Sequence, residues 1–118
     1  MLNLSHKKLD VWKLGIDLVE SVYQITREFP KHELFGLTSQ LRRAAVSVPA
    51  NIAEGASRRT AKERKRFYEI SRSSLVEIDT LVESCFAAQI IKPQQTTELE
   101  ELLNALFAKL SRLIEKTN

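Results

Sequence analysis

The stretch that decides the fold runs Leu9-Asp10-Val11-Trp12-Lys13-Leu14-Gly15-Ile16-Asp17-Leu18-Val19-Glu20-Ser21-Val22-Tyr23-Gln24-Ile25-Thr26-Arg27-Glu28-Phe29-Pro30. Stepped at about 100° per residue, Asp10, Lys13, Asp17, Glu20, Gln24, Arg27 and Glu28 fall within roughly one third of the circumference. Nearly everything else is apolar. Leu9, Trp12, Ile16, Val19 and Tyr23 lie on one side of the polar arc, and Val11, Leu14, Leu18, Val22, Ile25 and Phe29 on the other. The spacing predicts a helix over 9–29, stopped by Pro30. Its apolar arc is wider than the stripe of somewhat over about 100° that one core needs, so part of it must meet a further surface. A subunit interface is the economical choice.

The same reading predicts three more helices. After the turn Pro30 to Gly36, a helix over 37–56 has Leu37, Leu41, Ala44, Ala45, Val48 and Ile52 as its core stripe. Val46, Ala50 and Ala53 make a second, small-residue face. Pro49 removes one backbone bond inside this helix, which predicts a kink near Ala45 to Pro49, and Gly55 is the stop. Thr60 with Glu63 reads as a capping box opening a helix over 60–91. There Phe67, Ile70, Ser71, Ser74, Ile78, Leu81, Val82, Cys85 and Ala88 share a face, and Lys92-Pro93 is the break. Leu99, Leu103, Leu106, Leu110 and Leu113 keep a heptad-like pattern in a last helix over 97–116. Four long helices with short connections predict one all-α domain over 1–118, an antiparallel up-down-up-down four-helix bundle.

Chemistry has little to stand on. The single cysteine, Cys85, allows no internal disulfide and no cysteine pair for zinc, and it repeats on an apolar face, which suits a buried thiol in a reducing, cytoplasmic setting. His6 and His32 lack metal-ligand spacing. No nucleophile elbow or phosphate-cradling glycine loop occurs. The expectation is no enzyme, no metal and no cofactor. No apolar run approaches the roughly 18 residues of a membrane span, and the first residues do not read as a signal peptide.

The net charge of +3 is mild, but its distribution is uneven. Residues 1–41 carry five basic and five acidic side chains, residues 42–72 nine and three, residues 73–118 four and seven. Within the middle segment Arg58, Arg59, Lys62, Lys65, Arg66 and Arg72 form a candidate patch for the phosphates of RNA or DNA. The bland alternative is a solvated face on which Glu63 and Glu69 supply ordinary helical ion pairs. Tyr68 is the one aromatic positioned to stack a base, since Phe67 falls on the core side, so backbone contact is expected over base readout. Arg42, Arg43, Asn51 and Glu54 sit in a helix buried on two sides. Arg43 and Glu54 are about three turns apart, too far to pair, so each should bridge helices or subunits, with Asn51 bonding carbonyls freed around Pro49.

The segment Phe35-Gly36-Leu37-Thr38-Ser39-Gln40-Leu41-Arg42-Arg43-Ala44-Ala45-Val46-Ser47-Val48-Pro49-Ala50-Asn51-Ile52-Ala53-Glu54-Gly55, with Leu9-Asp10-Val11-Trp12-Lys13-Leu14 before it and Ser73-Ser74-Leu75-Val76-Glu77-Ile78-Asp79-Thr80-Leu81 after it, resembles the bacterial four-helix-bundle family encoded within intervening sequences of 23S rRNA genes. The resemblance covers most of the chain. It implies a left-handed bundle assembling as a homopentameric barrel, similar also to the accessory variability determinant of diversity-generating retroelements, for which nucleic acid and a reverse transcriptase are the partners. Gln40, Arg42, Arg43, Asn51 and Glu54 match family positions without an agreed role. Two functions are therefore expected to compete: an oligomeric nucleic-acid binder, and a scaffold whose basic face meets an acidic protein such as a reverse transcriptase.

Overall fold

The computed structural model describes all 118 residues and contains four long helices and no strand: α1 (Asp10–Thr26), α2 (Ser39–Ala56), α3 (Ala61–Ala87) and α4 (Thr97–Lys116). Each helix packs on the two that flank it in the order α1, α2, α3, α4 and back to α1. The core between them holds Val11, Leu18 and Val22 of α1, Leu41, Ala45, Val48 and Ile52 of α2, Leu75, Ile78 and Cys85 of α3, and Leu99, Leu106 and Leu110 of α4.

The helices end where local geometry allows, not always where the nearest proline stands. Helix α1 stops at Thr26 and not Phe29, because the chain tightens before Pro30, the Glu28 N–H bonding to the Ile25 carbonyl and the Phe29 N–H to the Thr26 carbonyl. Leu34–Thr38, expected in part as helix 2, forms a separate wide turn in which Gly36 departs from helical dihedrals. Helix α3 stops at Ala87, four residues short of Ile91. Gln89 adopts φ 59°, its N–H bonds to the Phe86 carbonyl and the Ile90 N–H to the Cys85 carbonyl, a Schellman closure built without glycine. That absence of glycine is why the stop was not legible. Thr60 does cap α3, accepting from the Glu63 N–H at 3.1 Å.

Small residues set how closely the helices approach. A Cβ on Gly15 would lie 3.1 Å from the Cβ of Pro49, so α1 rests on the proline ring, and α2 runs through Pro49 as one helix. Ser71 donates to the Val48 carbonyl at 2.9 Å, and the Ser47 and Ser74 hydroxyls meet at 2.8 Å, tying α2 to α3. Asn51 donates to the Ser47 carbonyl and hydroxyl and not to the Ala45 carbonyl that Pro49 frees. A Cβ on Gly55 would come within 2.8 Å of Tyr68 Cε1 and 3.1 Å of the Arg64 carbonyl. Helix propensity favours alanine there by about 1 kcal/mol. Overpacking against a buried ring and a backbone oxygen costs about 1–3 kcal/mol. The clash wins, so Gly55→Ala is expected to lower the urea midpoint with an unchanged denaturant slope.

Outside the core, the two sides of α1 part company as their width required. Val11, Leu18 and Val22 are buried, while Ile16 and Tyr23 are exposed and Trp12 and Val19 half-buried. On α2, Val46 and Ala50 are likewise exposed.

Candidate nucleic-acid interface

The basic patch is built on the turn from α2 into α3. Arg64 fixes that turn by donating to the carbonyls of Arg58 and Arg59 at 3.2 and 2.8 Å. Arg58 bonds the Glu54 carboxylate at 2.8 Å and lies over the Phe67 ring, 4.9 Å from its centre, while Arg66 approaches the same ring at 5.9 Å. A guanidinium laid on an aromatic face can keep its N–H edge free for phosphate, which holds for Arg66, whereas Arg58 gives one N–H to Glu54. Arg59, Lys62 and Arg66 are exposed and Lys65 half-buried, and none has a carboxylate within 4.0 Å. Glu63 and Glu69 pair with none of them, so the expected helical ion pairs do not form.

Two assignments exchange places. Phe67, expected in the core, is only half-buried, with the Arg58 and Arg66 guanidinium groups over its ring. Tyr68, expected to be available for stacking, is buried against Gly55, and that burial raises its hydroxyl pKa, with the Arg64 guanidinium opposing. Arg72 turns away from the other five towards α4, bonding Ser111 at 3.0 Å and lying 5.6 Å from the centre of the Phe107 ring.

That contact leads to cations the sequence did not connect. Arg72 with Ser111, Asp10 with Lys109 at 3.9 Å and Gly55 with Tyr68 bring the start of α1, the end of α2, the start of α3 and the end of α4 to one end of the molecule. Residues 1–14, 52–74 and 107–118, which build this end, hold thirteen basic and five acidic side chains. All other residues hold five basic and ten acidic ones. Lys7, Lys8, Lys13, Lys109, Arg112 and Lys116 therefore extend the patch; nothing in the linear order signals that they adjoin it.

The polar residues singled out on α2 do not form one site. Arg42 donates through Nε to Thr26 Oγ1 at 2.8 Å and lies 4.4 Å from the centre of the Tyr23 ring, which joins α2 to α1. Asn51 serves the serine contact between α2 and α3, Glu54 belongs to Arg58, and Gln40 and Arg43 are exposed. Cys85 is buried in the core, and burial, with the Glu33 carboxylate adding to it, pushes its thiol up to about 11. His6 rests edge-on against Trp12 and His32 lies 3.7 Å from Glu33, and no group of three His, Cys, Asp or Glu side chains is arranged to hold a metal. No helix is long and apolar enough to cross a membrane.

Compared with known proteins, the chain matches the model of the family described as 23S rRNA-intervening sequence protein over residues 7–112. No curated protein matches it.

Proposed function

The chain belongs to the 23S rRNA-intervening sequence protein family, and from that premise we propose that it is a non-enzymatic homo-oligomer of the cytoplasm that binds RNA or DNA through its basic end. The protomer is read as an antiparallel up-down bundle and the assembly as a homopentamer. The observation that carries the binding function is the excess of thirteen basic over five acidic side chains at one end, most of the cations on the α2–α3 turn lacking a carboxylate partner. Such a surface gains affinity by releasing the counterions of a polyanion. The exposed Ile16, Tyr23 and Val46 support self-association, and repetition of the basic end around an assembly adds avidity.

Titrating a labelled single-stranded RNA at several salt concentrations tests this. The logarithm of the affinity should fall linearly with the logarithm of salt, with a slope of about −0.7 for each phosphate neutralised. Binding that is absent at low salt would move the basic end to the second reading, a scaffold meeting an acidic protein such as a reverse transcriptase.

A further inference from the structure

Away from the basic end, the bundle carries two unlike surfaces. Along the outer side of α2, Tyr23, Phe35 and Val46 line a groove of about 660 Å³ flanked by Arg42 and Arg43, with no carboxylate in its lining. Phe35 is 94% exposed. Between α3 and α4, two depressions share Asp79, Glu100 and Leu103 and so form one trough. Val82, Phe86, Leu99 and Leu103 make its apolar floor, and Asp79, Glu83 and Glu100 its rim. No cation lines it, and none of the three carboxylates is in an ion pair. At its far end Val76 is 55% and Phe107 43% exposed.

The surfaces share no residue, and each offers what the other lacks: apolar side chains with arginines on one, an apolar floor with carboxylates on the other. Because the groove lies on the α1–α2 side and the trough on the α3–α4 side, a two-fold contact made through either one alone would set like charge on like, which is costly when desolvated. We propose that the α2 groove of one copy seats on the acidic trough of the next, with Arg43 meeting the Glu83 and Glu100 rim. The inference rests on the homo-oligomer read above and specifies its surfaces. Such a heterologous contact repeats from copy to copy and closes into a ring when the rotation allows. The groove lies at the end of α1 and the start of α2, and the Glu83 and Glu100 part of the trough at the end of α3 and the start of α4, so the surfaces that pair sit at the end opposite the basic one. Neighbours joined this way stand side by side and point their basic ends in one direction.

Light scattering and sedimentation on the full chain test the pairing. Arg43→Glu alone, and Glu83→Arg with Glu100→Arg, should each raise the dissociation constant of the assembly at least about tenfold; all these residues are exposed, and circular dichroism checks that the helices persist. Combining the three substitutions in one chain should restore assembly. Unchanged mass for either reversed surface, or a combined variant no better assembled than the worse of the two, would overturn the pairing while leaving an oligomer in place. A monomeric wild-type chain would overturn the oligomer and the pairing together.

Discussion

Reversing Arg58, Arg59, Lys62, Lys65 and Arg66 to glutamate should reduce the affinity for RNA by at least about a thousandfold near 0.15 M salt. The change removes five cations from the most concentrated part of the basic end and places five anions there, so each lost counterion-releasing contact is compounded by repulsion. Helix stability should survive. Four of the five side chains are exposed, and the one ion pair lost, Arg58 with Glu54, is an exposed pair of a kind worth about 0.2–1 kcal/mol. A filter-binding titration gives the affinity, and its salt dependence should flatten by roughly 0.7 for each contact removed. Reversing Lys109, Arg112 and Lys116 should produce a smaller loss of the same kind, since α4 adjoins the patch through Arg72 and Ser111. Undiminished binding by the five-residue variant would end the nucleic-acid reading of this surface.

The other large effect concerns stability. Leu106 is 0% exposed and Phe107, the next residue, is 43% exposed. Leu106→Ala should cost about 2–5 kcal/mol through lost transfer energy and the cavity left behind. A domain of this kind has only about 5–15 kcal/mol in total. Phe107→Ala gives up a partly hydrated ring and its contact with Arg72, worth about 0.5–1 kcal/mol. Urea unfolding followed by circular dichroism should therefore separate two adjacent positions several-fold, and equal losses would refute the assignment of the α4 core face.

Most of the fold is written in periodicity. Val11, Leu18 and Val22 in α1, or Leu99, Leu106 and Leu110 in α4, recur at helical spacing and are the residues found buried. Even the surplus apolar arc of α1 has a direct counterpart in exposed Ile16 and Tyr23. Periodicity fails where long cationic side chains cover an apolar ring or a helix ends without a customary signal. Phe67 lies at a core angle on α3, but its ring is only half-buried and is covered by Arg58 and Arg66. Gln89 closes α3 in a conformation usually left to glycine. The patch itself was legible only as a run, Arg58 to Arg72. Its extension by Lys7, Lys8, Lys109 and Lys116 depends on which helix ends meet, a tertiary fact that no local pattern encodes.

The serine contacts between α2 and α3 bear on how the molecule breathes. With Ser71 on the Val48 carbonyl, Ser47 on Ser74 and Tyr68 closed over Gly55, these two helices are tied at three successive levels down to the turn that joins them. Local opening begins where such ties are sparse, so amide protons in α4 should exchange with solvent before those in α2 and α3. On that expectation the turn bearing Arg58, Arg59 and Lys62 hangs from the slowest-opening part of the chain. Little of its backbone freedom would then remain to be lost on binding a polyanion of the kind proposed above, because folding has already ordered it.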